Sequence, residues 1–355
     1  MTNNIIIKQT RCTLKFTNNG KLETLNNLAI EMQRVVNLFI DKLWEDKNFT
    51  SKYVDFKVDT YLTARMQQCL GKIALQNVKS QRKKNLKHKP NFQSMSFDLD
   101  YRFFNIQDIS SKSFDMFLKI SSIKKNISIN IPIKKHTHYN RLINLGFKCK
   151  NSIRLIKKNN IWYVDFIFEK TKPIKKTNGN VIGCDLGYKK LITLSSNKTF
   201  GKDDLQKIYH KISNKKQSSK AFKKSLTQRN NYINYLINNI DLINIKELVC
   251  EDLKSVKYKA KFSRKTNNKL ARWIYPKVLE KLEARCDMSG VLFSKVNPRY
   301  TSQKCSCCGV VDKKSRKLED FKCTTCGLTI DADLNASINL SHMGTYSSHA
   351  LLILP

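Results

Sequence analysis

The chain has 355 residues, enough for two or three packed units, with an ordinary apolar share of 41%. Its 66 basic against 28 acidic residues leave a formal charge of +38, and self-repulsion on that scale is relieved by a polyanion, so nucleic acid is the expected partner. The basic residues run along the whole chain and no apolar run approaches the roughly 18 residues of a membrane span, which disfavours a membrane.

The opening "MTNNIIIKQTRC" lacks the apolar core of a signal peptide. Eleven cysteines, four of them in paired short spacings, point to a reducing compartment and to metal rather than disulfides. An intracellular protein is expected.

Residues 5–16 ("IIIKQTRCTLKF") alternate as a strand, and "TNNGK" follows as a turn. From Leu25 to Trp44, apolar residues at Leu28, Met32, Val35, Val36, Phe39, Ile40 and Leu43 recur at helical spacing. A second helix is predicted from about Tyr61 to Val78, running into the basic block "KSQRKKNLKHKP", a candidate phosphate contact. Residues 97–170 read mainly as β, in segments such as "SFDMFLKI", "NISINIPI", "NSIRLIKK" and "IWYVDFIFEK". The first half therefore reads as a β-barrel or sandwich interrupted by a helical insertion, with "TKPIKKTNGN" (171–180) as a boundary.

The second half has a different character. "VIGCDLG" is a buried-type strand ending in a glycine turn, and "KKLITLSS" returns as another. A largely basic helix is predicted from about Asp203 to Asn239, then the strand "IKELVCED". Tyr275, Val278, Leu279, Leu282 and Cys286 mark an amphipathic helix over Trp273 to Met288, with Pro276 near its start, and "GVLFSKVN" is a further strand. That order implies an α/β domain.

Two constellations carry chemistry. Cys305-x2-Cys308 and Cys323-x2-Cys326, fourteen residues apart and each followed by glycine, have the spacing of paired zinc knuckles. Four thiolates close the tetrahedron, so a structural Zn2+ with no open position is expected; Cys307 is spare, and Cys305 and Cys307 compete for one ligand position. The remaining cysteines read as small core residues. The second constellation is acidic. Asp185 ends "VIGCD", Glu251 ends "ELVCE" with Asp252 beside it, and Asp333 lies in "DADLNAS", which reads as a helix opening. Singly, each reads as a turn or cap residue. Together they suit magnesium, because hard cations prefer carboxylate oxygen and two ions about 4 Å apart can activate water at a phosphodiester. Asp331 is either a helix cap or a supporting residue.

"VIGCDLGYKKLITLSS", "LVCEDLK", "VNPRYTSQKCSCCG" and "FKCTTCGLTIDADLNASINL" resemble the RuvC-like nuclease segments and inserted zinc ribbon of TnpB proteins, transposon-encoded RNA-guided DNA nucleases related to the compact type V CRISPR effectors. The close match covers roughly residues 181–340, and the N-terminal half resembles the family in layout. The resemblance implies an α/β ribonuclease-H-like (RuvC) nuclease domain over 177–300 and 328–355, a zinc ribbon over 301–327, a wedge-like β-barrel over 1–24 and 92–176, and a helical recognition insertion over 25–91. It implies Asp185, Glu251 and Asp333 as the catalytic carboxylates on two Mg2+ ions. It further implies a guide RNA and a double-stranded DNA target beside a short adjacent motif; the sequence does not reveal the oligomeric state, of which a monomer is the favoured reading. Ala332 departs from the arginine that the family often carries there. Arg299 or a nearby lysine is a candidate for steadying charge at the scissile phosphate. Readings of other classes are an RNA-guided DNA-binding regulator without cleavage, a guide-independent structure-selective nuclease and a transposase.

Overall fold

The computed structural model describes residues 4–46, 49–51, 53–54, 56–84, 87–109, 111–252 and 274–346. The chain divides into two compact units, residues 1–171 and 172–355.

The first unit opens with β1 (Ile5–Thr13), followed by α1 (Asn19–Glu45) and α2 (Ala64–Lys83). Helix α1 starts earlier than its apolar spacing predicts, because the Asn18 side chain caps it by accepting the Lys21 N–H. Its buried stripe runs from Leu25 through Leu28, Met32, Val36 and Phe39 to Leu43, and α2 buries Met66, Leu70, Ala74 and Val78. Arg82 of α2 donates to the carbonyls of Leu43 (2.8 Å) and Asp46 (3.1 Å), satisfying acceptors that α1 leaves open at its C-terminal end. Of the basic block that follows α2, Asn85 and Leu86 lie outside the described residues.

Then come β2 (Ser96–Asp100), β3 (Phe104–Asp108), β4 (Met116–Ser121), β5 (Ser128–Ile133), α3 (Thr137–Asn144), β6 (Lys148–Lys158) and β7 (Ile161–Thr171). They build two antiparallel sheets, ordered β1-β7-β6-β2 and β3-β4-β5. Helix α3 interrupts a stretch that reads as β throughout; it is short, and among its buried residues Tyr139 packs edge-on against Phe166 and Phe168. Asp165, almost fully buried in β7, sits opposite Arg11 of β1 and accepts both its Nε (2.6 Å) and Nη2 (2.7 Å), so the buried charge is paired.

The second unit holds β8 (Asn180–Asp185), β9 (Ile192–Leu194), β10 (Thr199–Phe200), α4 (Asp203–Ser213), α5 (Lys220–Asn238), β11 (Ile245–Glu251), α6 (Tyr275–Ser289) and β12 (Leu292–Val296). Three short strands follow, β13 (Arg316–Lys317), β14 (Asp320–Lys322) and β15 (Thr329–Asp331), and then α7 (Ala332–Ser341). The single basic helix expected over 203–239 is two helices. Ser218 takes a positive φ and Ser219 caps α5 through the Phe222 N–H, so the chain restarts there. Trp273 lies outside the described residues; α6 begins at Tyr275 with Pro276 in its first turn, where a missing N–H costs nothing.

The main sheet has the order β10-β9-β8-β11-β12. Strands β8, β11 and β12 run parallel and β9 and β10 antiparallel to their neighbours. Leu191, Ile192, Leu205, Ile233, Leu248, Val278 and Leu282 belong to the core packed beneath α4, α5 and α6. Helix α7 lies directly on β8. A Cβ on Gly183 would come 1.8 Å from the Ser337 carbonyl oxygen and 2.6 Å from the Ser341 nitrogen, an approach only glycine permits. Among the described residues no helix is long and apolar enough to cross a membrane.

Candidate functional site

Parallel β8 and β11 bring Cys184 and Cys250 side by side, so the next residue on each strand, Asp185 and Glu251, stands at the carboxyl edge of the sheet. That edge is where open α/β sheets bind ligands. The third acid arrives from α7. Asp331 is its N-cap, its Oδ1 accepting the N–H groups of Asp333 and Leu334 at 3.1 Å each, which sets Asp333 in the first turn.

Asp185 feels the other two carboxylates. Burial, then the charges of Glu251 and Asp333, push Asp185 up to about 8. Burial also raises Glu251, against the Thr301 hydroxyl, which donates to its Oε1 at 2.5 Å. Their oxygens do not, however, all converge within 4.8 Å; among the described residues the four cysteines form the group that does. Cationic side chains partly fill the acidic corner. Arg316 of β13 reaches Asp333 Oδ1 at 3.1 Å. Lys190 bonds to Asp331 and lies 3.6 Å from Asp333 Oδ2. Although burial pushes Asp331 up, Lys190 and the two capping N–H groups hold it below the ordinary carboxylate range.

The cysteine cluster follows from two matching turns. The Cys305 N–H donates to Val310 O and the Gly309 N–H to Cys305 O; the Cys323 N–H donates to Leu328 O and the Gly327 N–H to Cys323 O. Gly309 (φ +78°) and Gly327 (φ +77°) supply the left-handed residue each turn requires. Cys305 and Cys326 stand 3.6 Å apart, sulfur to sulfur, and Cys308 and Cys323 3.5 Å. The N–H groups of Cys326 and Thr325 point at Cys323 Sγ and pull that thiol down to about 6. Cys307 is exposed and outside the group. Thiolates so gathered suit a tetrahedral soft-metal site, and the carboxylates suit a hard cation.

Two buried asparagines of α7, four residues apart, tie the first turn to the acidic helix. Asn335 accepts the Ser306 N–H and donates to Lys304 O; Asn339 donates to Thr301 O and Lys304 O. Sequence reading misses them, although two amides at helical spacing in the apolar run "LNASINL" are a signal for it. Lys190, Arg316 and Thr301 had no such signal. Arg299, the other proposed cation, lies over the Tyr300 ring.

A family model described as "Cas12f1-like, TNB domain" matches residues 275–340. A TnpB-like protein of Methanocaldococcus jannaschii is 30% identical over 146 residues, covering 38% of this chain and 51% of that protein. A TnpB-like protein of Aquifex aeolicus is 34% identical over 107 residues, covering 29% of this chain and 34% of its own length. A CRISPR-associated endodeoxyribonuclease Cas12f1 of Sulfoacidibacillus thermotolerans is 37% identical over 73 residues, 20% of this chain and 17% of that one. The chain thus spans about half or less of these curated relatives. Its fold resembles a Cas12f1 solved by cryo-EM with single guide RNA and target DNA, at TM-score 0.62 and 15% identity over 96% of this chain and 99% of that one. The matched segment over 275–340, the TnpB-like relatives and the fold thus point in one direction, to a likeness with TnpB-like proteins and Cas12f1.

Proposed function

We propose that the chain is an RNA-guided, metal-dependent DNA endonuclease that cuts target DNA beside a short adjacent motif. The observation that carries this reading is the placement of Asp185 and Glu251 at the ends of two adjacent parallel strands and of Asp333 in the first turn of α7, with Asp185 in electrostatic reach of the other two. The mixed five-stranded sheet with its flanking helices supports a ribonuclease-H-like nuclease domain over 177–300 and 328–355, with the ribbon over 301–327. The antiparallel sheets and the α1–α2 hairpin support the wedge-like barrel and recognition insertion for the remainder.

In this mechanism Asp185, Glu251 and Asp333 would hold two Mg2+ ions, which would supply an activated water and charge stabilisation for phosphodiester hydrolysis. Thr301 orients Glu251 by donating to it, and Asp331 fixes the backbone from which Asp333 projects. Arg316 stands where it can neutralise Asp333 or a substrate phosphate. Cys305, Cys308, Cys323 and Cys326 would hold a structural Zn2+, their four thiolates supplying all its ligands. The cationic surface grips RNA and heteroduplex by phosphate, and base pairing supplies the sequence.

The test is to express the chain with its native flanking DNA, sequence the co-purifying RNA, and assay cleavage of a matching duplex. Asp185→Ala and Asp333→Ala should each abolish cutting while RNA-dependent DNA binding survives. Cutting that persists in both variants removes the site assignment. Wild-type binding without any cutting favours the regulator, and cutting without a defined RNA favours the guide-independent nuclease.

A further inference from the structure

A lysine buried to 8% exposure is uncommon, and its charge must be met by partners to be tolerated. Lys190 meets that condition in a particular way. Its carbonyl accepts the Gly187 N–H at 3.0 Å, closing the tight turn that leaves Asp185. A Cβ on Gly187 would stand 2.8 Å from that same carbonyl, so the turn admits little variation. The other end of Lys190, its ammonium, bonds to Asp331 Oδ2 and lies 3.6 Å from Asp333 Oδ2. The opposite oxygen of Asp331 accepts the Asp333 and Leu334 N–H groups in the first turn of α7. Lys190 is therefore a strut between the strand that carries Asp185 and the helix that carries Asp333. Lys189 repeats the link one residue earlier, through Glu319, whose carbonyl accepts the Ala332 N–H at 2.8 Å. Arg316 takes the remaining oxygen of Asp333, but from the ribbon hairpin and from a more exposed position.

We propose that Lys190 is a positioning residue, bracing Asp333 toward Asp185 so that the acidic centre can hold a divalent cation. The inference rests on the nuclease reading of that centre. It also makes a prediction opposite in sign to simple electrostatics. A cation beside carboxylates competes with a bound metal ion, so removing it should tighten metal binding. Removing a brace should weaken binding, because partners that orient ligands are typically worth about 10- to 100-fold in affinity.

The experiment is titration of the full, zinc-loaded chain with Mn2+, followed by electron paramagnetic resonance, with Asp185→Ala identifying the ions held at the acidic centre. Lys190→Met should weaken that Mn2+ binding about tenfold or more. Asp331→Asn keeps an acceptor for the helix N–H groups but removes the charge Lys190 meets, and should weaken it in the same direction. The double variant should lose less than the sum of the two, as expected of residues acting through one contact. Unchanged or tighter Mn2+ binding in folded Lys190→Met overturns the proposal. Should that variant not fold by circular dichroism, unchanged binding in Asp331→Asn overturns it instead. A wild-type chain with no Asp185-dependent Mn2+ overturns the nuclease reading together with this inference; Asp185-dependent binding that ignores Lys190 overturns this inference alone.

Discussion

Asp331 and Asp333 are two positions apart in one sequence motif, and although Lys190 reaches both, their other partners differ. One carboxylate is taken up by backbone N–H groups and the bond from Lys190, while the other meets Arg316 at 3.1 Å and acts on Asp185 through its charge. Residue spacing offers both as candidates for a cap, and only the helix start decides which oxygen is engaged. Gly183 is the counterpart on the strand side. Since its missing Cβ would overlap backbone atoms of α7, no rotamer change can relieve the clash. Gly183→Ala should destabilise the second unit by about 3 kcal/mol or more, at the upper end of overpacking costs. Urea denaturation reads this directly, and an unshifted midpoint would show that α7 does not sit on β8 as described.

At the scale of elements, the ribbon is the part least able to stand without help. Its apolar cluster is Cys305, Phe321 and Cys323 with Ala332 of α7, and Leu328 and Ile330 alongside. A core that small does not offset the entropy of ordering three short strands. On the proposed zinc site, a strong chelator should therefore abolish amide protection across residues 301–331 while β8 and β11 stay protected. Hydrogen exchange followed by mass spectrometry would show it, and a ribbon equally protected after metal loss would mean the cysteines are not its staple. The helices and strands themselves differ in how far sequence reveals them. The α1 stripe and the alternation of β6 and β7 are legible because each element buries one face along its own length. Helix α3 and the break between α4 and α5 are not, since the first is held by aromatic contacts from β7 and the second by a single capping serine.

For the whole molecule, +38 of formal charge is the dominant physical fact. Binding through phosphates releases counterions, so affinity for RNA should fall linearly on a log–log plot against salt, with a slope of about −0.7 per phosphate contacted on a single strand. A chain that engages six to ten phosphates of a duplex loses about 10³- to 10⁵-fold between 50 and 200 mM salt. Fluorescence anisotropy with labelled RNA across that range provides the measurement. An affinity that barely responds to salt would mean the lysines serve solubility alone.

Composition, periodicity and the two CxxC-G turns are local properties, and the sequence by itself determined what depends on them: a polyanion as the expected partner, most of the strands and long helices, the cysteine quartet and the three acids as candidates. What the tertiary structure alone decided is long in range. Lys190 meets Asp331 across 141 positions, and Arg316 belongs to a hairpin whose place over α7 no spacing announces. The same holds for Gly183 under Ser337. A residue's pattern along the chain reports the face it buries, whereas the partner it meets there depends on how the sheet and α7 close on each other.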